Sequence, residues 1–196
     1  YPVYVIIGQT FWNFFFESTN MAMSSILNNG ALIRKVYIPK LIFPISRVAS
    51  SFVTMIFSLA AILIVMIFTG VQFTPALLML PFVLLCLFLF CLGIGIALSA
   101  LAVYFRDMMH LYGVLTTAWM YFTPIFWTVD ILPANVLPLI QLNPLLHYIS
   151  YFRSLVLEGT VPPFSEHVIC LALSLIVLAG GIALFRRTQK NFILYI

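Results

Sequence analysis

Residues 76–103 read ALLMLPFVLLCLFLFCLGIGIALSALAV, 28 residues suited to the interior of a membrane. This run holds no charged side chain. It is also longer than the roughly 20 apolar residues that a helix needs to cross the hydrocarbon core of a bilayer. Four further stretches are similar: about residues 2–23, 45–68, 108–128 and 168–185. The first is aromatic-rich and interrupted by Asn13, Glu17 and Asn20. The expectation is an all-α polytopic membrane protein, a single bundle over residues 1–196 with about five spans. Composition agrees with this. Of 196 residues 64% are hydrophobic and 7% charged, and the mean hydropathy is +1.16. Soluble domains are about 25% charged, so too few charges are present here to clothe a surface in water.

The charges then give the bundle a direction. If the five stretches cross in turn, one side receives residues 26–47, 104–110 and the tail after Phe185. That side holds Arg34, Lys35, Lys40, Arg47, Arg106, Arg186, Arg187 and Lys190. The other side holds Arg153 alone. Short cytoplasmic loops carry the excess of Lys and Arg, so the basic side and the C-terminus are expected to be cytoplasmic. The net charge of +4 reflects that bias. The basic residues form no continuous soluble face, so nucleic acid is not an expected partner. Tyr1 is not a translation start, and no basic segment precedes the first apolar run. If the true N-terminus is cytoplasmic, an odd number of spans is expected before Tyr1.

The long segment between the fourth and fifth stretches is apolar but broken by Pro133, Pro138, Pro144, Pro162 and Pro163. Its pieces 134–142 and 145–157 are too short to span, and Asn143-Pro144 between them is a turn signal. Residues 130–165 read as a re-entrant helical hairpin on the outer side, or as a hydrophobic loop lying on the headgroups. In the third stretch Gly93/Ala97 and Gly95/Ser99 are small-xxx-small pairs, which allow helix backbones to approach closely, within the chain or across a dimer seam.

Catalytic chemistry is hard to find. There is no Gly-x-x-x-x-Gly-Lys-Ser/Thr phosphate loop and no His-Glu-x-x-His, and Cys86, Cys91 and Cys170 match no zinc spacing. Catalytic, cofactor and metal residues are therefore expected to be absent. Glu17 is the one acid inside a stretch, and intramembrane ionisable groups usually face a cavity or a partner; a hydrogen bond to a neighbouring helix would also explain it. Phe11, Trp12, Phe15 and Phe16 crowd around it, either as an interfacial belt or as the lining of a path for sugars. Between the first two stretches, Asn28-Asn29-Gly30 marks a break. Residues 31–37 then read as a short amphipathic helix with Arg34 and Lys35, suited to anionic lipid or to a partner.

The run Asn28-Asn29-Gly30-Ala31-Leu32-Ile33-Arg34-Lys35-Val36-Tyr37-Ile38-Pro39-Lys40 resembles the cytoplasmic coupling segment (28–40) of ABC transporter type-2 permeases, in the group that exports O-antigen, teichoic acid and capsular polysaccharide. Tyr104-Phe105-Arg106-Asp107 resembles that family's Arg-Asp loop, and Tyr121-Phe122-Thr123-Pro124-Ile125-Phe126-Trp127 the end of its fifth span. Leu142-Asn143-Pro144-Leu145, Phe152-Arg153 and Glu158-Gly159 resemble its external re-entrant region, which here includes Asn143, Pro144 and Arg153.

The resemblance implies six spans in the family and a homodimer bound to two ATPase subunits. ATP and Mg would be bound by those partners, with no cofactor in this chain. The cargo would be a lipid-linked glycan, moved across a bacterial inner membrane. Asn28, Leu32, Ile33, Arg34, Lys35, Tyr37 and Pro39 would couple to the ATPase. Phe11, Trp12, Phe15, Phe16 and Glu17 with Trp119, Tyr121 and Phe122 would line the path. Export of a drug or small lipid, or intramembrane chemistry on a lipid-linked sugar, are the alternative readings.

Overall fold

A computed structural model describes residues 2–196; Tyr1, and with it any reading of what precedes the chain, lies outside them. Every regular element among the described residues is helical. The helices are α1 (Pro2–Asn28), α2 (Gly30–Lys35), α3 (Ile42–Thr69), α4 (Leu80–Tyr104), α5 (Met108–Phe122), α6 (Leu137–Gln141), α7 (Pro144–Arg153), α8 (Phe164–Thr188) and α9 (Phe192–Tyr195). This is an all-α membrane bundle.

Three helical segments are long and apolar enough to cross a bilayer: Ile42–Thr69, Pro75–Tyr104 and Phe164–Tyr195. At about 1.5 Å per residue α1 is also long enough, at about 40 Å, but it carries polar residues along one face. The fourth stretch is shorter than expected. Its helix stops at Phe122, not near Thr128, because Pro124 disfavours helical backbone at the residue before it, and Thr123 is extended (φ −91°, ψ 129°). The remaining α5 is about 22 Å long, less than the hydrocarbon thickness. The last helix is longer than expected. It starts at Phe164 behind Pro163, with Glu166 in its first turn and Arg186 and Arg187 in its last, an order that suits the helix dipole.

α1 and α4 form the centre. Phe15 of α1 packs on Phe90 of α4 and edge-on to Trp119 of α5, and Phe11 meets Phe152 of α7. Between membrane helices lipid tails are as apolar as the side chains, so close packing rather than water exclusion holds the seam. The glycines mark where it is tightest. A Cβ at Gly93 would come within 2.6–2.7 Å of the backbone of Val177 and Leu178, one at Gly181 would strike the Gly93 carbonyl, and one at Gly95 would meet Ala22 and Val48. Gly93 and Gly95 thus serve packing within the chain, α4 against α8 and α4 against α1 and α3.

α1, α4 and α8 run parallel, with their C-terminal ends together. The Tyr104 hydroxyl donates to the Thr188 carbonyl at 2.6 Å, Lys40 Nζ donates to the Gln189 carbonyl at 2.8 Å, and Gly30 abuts the Ile196 side chain. Eight of the nine Lys and Arg residues belong to the segments meeting at this end. Arg153 is the exception, at the opposite end, where the Tyr4 hydroxyl donates to the Trp127 carbonyl at 3.1 Å.

Candidate coupling, anchoring and path residues

At the basic end, α2 follows α1 after one residue, Asn29, whose amide donates to the Ser25 carbonyl at 2.7 Å. The helix ends at Lys35 rather than Tyr37, because Val36 turns extended (φ −131°, ψ 137°) ahead of Pro39. Ile33 and Gly30 point into the bundle. Asn28, Leu32, Arg34, Lys35, Val36, Tyr37 and Pro39 are exposed, Tyr37 completely so. The segment therefore offers two cations and three exposed apolar side chains on a support fixed from behind. Lys40 ties it to the tail and lies 5.5 Å from the Phe192 ring centroid; partial burial lowers its pKa.

At the opposite end two side chains organise the irregular backbone. Asn143 caps α7: its Oδ1 accepts from the Leu145 N–H at 3.1 Å, and Pro144 occupies the first helical position, where no N–H is needed. The same Oδ1 accepts from Trp119 Nε1 at 2.9 Å, and Nδ2 donates to the Thr123 hydroxyl at 2.9 Å. One buried amide thus joins the start of α7 to the end of α5. Asn143→Ala removes the cap and both cross-links. It is expected to cost about 2 kcal/mol, seen as earlier thermal unfolding in detergent with a changed tryptophan emission.

Arg153, at the end of α7, is buried. Its guanidinium donates to three main-chain carbonyls: Pro124 at 2.8 Å, Tyr4 at 3.0 Å and Ile125 at 3.3 Å. It also lies 3.4 Å from the centroid of the Tyr4 ring, a cation–π distance. Gly8 makes room, since a Cβ there would come within 2.7 Å of Nη2. Burial pulls the Arg153 pKa down to about 10, with Tyr4 acting the other way, so the side chain remains charged at neutral pH. The start of α1, the loop after α5 and the end of α7 are fastened together by this one side chain. Past it, Ser154–Glu158 form a π-helical turn closed by Gly159 at φ 64°.

The eight residues expected along a path separate into two groups. Phe11, Trp12 and Phe15 are buried inside the protomer, and Trp119 is half-buried and held by Asn143. Phe16, Glu17, Tyr121 and Phe122 are exposed. Residues 11, 12 and 15 share the inward face of α1, which separates them from the exposed Phe16 and Glu17. Glu17 does not bond a neighbouring helix among the described residues. Leu115, Phe122, Leu139, Leu142 and Pro144, with Trp119 and Asn143, instead line an almost wholly apolar groove of about 500 Å³ outside the Asn143 joint. Sequence reading missed the carbonyl clamp on Arg153. The one available signal was a lone cation in an apolar outer segment.

A model of the ABC-2 type transporter family matches residues 2–157. The O-antigen export system permease protein RfbA of Klebsiella pneumoniae is 26% identical over 196 residues, covering 98% of this chain and 74% of the relative. The RfbA permease of Myxococcus xanthus is 25% identical over 195 residues, covering 98% of this chain and 75% of that protein. The match takes in residues 28–40, the α4 seam and the Asn143–Arg153 region alike, and on it this multi-pass chain belongs to the ABC-2 type transporter family, whose members are transport subunits working with an ATPase.

Proposed function

We propose that the chain is the membrane subunit of an ATP-driven exporter that carries a lipid-linked surface polysaccharide across the bacterial inner membrane. The observation that carries this reading is the alignment of nearly the whole chain with O-antigen export permeases. Two copies pair with two ATPase subunits, which bind ATP and Mg. The basic end and the C-terminus are cytoplasmic, in line with eight basic residues on one side and one on the other.

The geometry suggests how force travels. The ATPase docks on α2 and the two residues after it, through Leu32, Arg34, Lys35, Val36 and Tyr37. Because α2 is joined to α1 through Asn29 alone, a push there moves α1, a 27-residue rod. The far end of that rod is gripped by Arg153, so the motion reaches α7 and the loop after α5. The outer backbone then shifts when ATP closes the cytoplasmic partner.

Reversing both α2 cations, Arg34→Glu with Lys35→Glu, tests the coupling. Export is expected to fall at least about tenfold, the equivalent of about 1.4 kcal/mol of docking, with the permease still inserted at its normal level. Unchanged co-purification of the ATPase together with an unchanged stimulated ATPase rate would contradict the assignment.

A further inference from the structure

One face of α1 does not fit a lipid environment. Gln9, Asn13, Glu17 and Asn20 follow at spacings of four, four and three residues, which aligns them along one side of the helix. All four are exposed, and none of their side chains has a hydrogen bond or ion pair among the described residues. Glu17 lies near the middle of the helix.

The flanks differ. On one side Thr10, Asn13 and Glu17 share a small cleft with Ser51, Thr54 and Ser58 of α3, about 60 Å³ in volume. On the other, Trp12 and Phe16 share a cavity of about 170 Å³ with Thr116, Thr117 and Met120 of α5. Phe16, exposed at 37%, stands between the amides and α5.

Hydrocarbon satisfies none of these amide and carboxylate groups, so such residues face water or protein. The composition argues against another helix. The tight seams of this bundle use Gly, Ala and Ser, as at Gly93, Gly95 and Gly181, whereas this row uses longer side chains that both donate and accept. A sugar chain offers many hydroxyls that donate and accept, and CH faces that pack on an aromatic ring.

We propose that Gln9, Asn13, Glu17 and Asn20, with Phe16 beside them, form a hydrated wall of the translocation path and bind the hydroxyl groups of the passing glycan. This rests on the reading of the chain as a polysaccharide permease. The row covers about 16 Å along the helix, enough for three or so sugar rings.

Cys86, Cys91 and Cys170 are buried, so with any cysteine outside residues 1–196 replaced by serine, Asn13→Cys, Glu17→Cys and Thr54→Cys can be read one at a time. In cells carrying the full permease and its ATPase, a charged, membrane-impermeant maleimide is expected to label Asn13→Cys and Glu17→Cys during export, and Thr54→Cys at the cleft edge more slowly. In parallel, Asn13→Leu with Glu17→Leu is expected to lower surface polysaccharide at least about tenfold, with insertion and ATPase binding retained; Asn13→Gln with Glu17→Gln should restore most of it. Unlabelled cysteines at residues 13 and 17 in an exporting cell would overturn the inference, since the row is then covered by protein or lipid. Full export by the leucine variant would overturn it too. A parent protein that exports no polysaccharide is a separate outcome, and it contradicts the cargo reading before any variant is compared.

Discussion

Arg153→Ala is expected to destabilise the bundle by about 3 kcal/mol or more, through the loss of several hydrogen bonds to a charged group and the buried carbonyls left without that donor. The substitution strips a charged donor from three carbonyls at once, and charge-assisted bonds contribute about 1.5–3 kcal/mol each when intact. It also leaves a void beneath Gly8 and Tyr4. For a chain of this size the loss corresponds to an unfolding midpoint roughly 6–12 °C lower, read by size-exclusion after heating in detergent. Arg153→Lys should recover little, because an ammonium cannot spread over Pro124, Ile125 and Tyr4 as the planar guanidinium does. A midpoint within about 2 °C of the parent for Arg153→Ala would mean that the clamp is not what holds the outer end. Export is expected to fall as well, since α1 would then move without the loop after α5.

The second large effect lies at the crossing of α4 and α8. Gly181→Leu places a branched side chain where the Gly93 carbonyl already sits, and Gly93→Leu drives one into the backbone at Val177 and Leu178. Backbone cannot yield as a side-chain tip does, so the helices must separate. Overpacking typically costs about 1–3 kcal/mol, occasionally more, and rigid backbone puts this site at the upper end. The neighbouring Gly180 is the control, since a Cβ there meets nothing within 4 Å. Gly180→Ala is expected to be neutral or to stabilise by about 0.5–1 kcal/mol through helix propensity. Thermal midpoints and expression of the three variants check the contrast. Equal behaviour of Gly180 and Gly181 variants would contradict the packing described.

Some of this was legible in the sequence and some was not, for identifiable reasons. α3 and α4 were plain because uninterrupted hydrophobicity needs no tertiary context. The end of α5 was overextended because Ile125, Phe126 and Trp127 continue the apolar run past Pro124, and hydrophobicity outweighed the backbone rule. The aromatic cluster on α1 was read by density when its period held the answer. Residues 11, 15, 22 and 26 face inward and residues 9, 13, 17 and 20 face outward, a helical alternation that divides Phe15 from Phe16. The Asn143 turn was visible because Asn-Pro is a local signal. The Arg153 clamp was not, because its acceptors are main-chain carbonyls more than 25 residues away, which have no residue type to search for. The exposed face of α2 depends on the same kind of information: the Ile196 contact on Gly30 and the burial of Ile33 in the core settle which side of the short helix is free.

The proposed activity is movement of a lipid-linked polysaccharide across the membrane by this chain, powered by a separate ATPase. It is tested most directly in sealed vesicles holding the full permease, its ATPase and the lipid-linked polysaccharide of the source cell, with the glycan on the ATPase side at the start. Glycan reaching the opposite face is followed with an impermeant glycan-cleaving enzyme. Transfer is expected to need both chains and ATP hydrolysis, and to drop at least about tenfold with Arg34→Glu and Lys35→Glu, a docking loss of about 1.4 kcal/mol. ATP hydrolysis by the assembled complex with no glycan reaching the far side would contradict it.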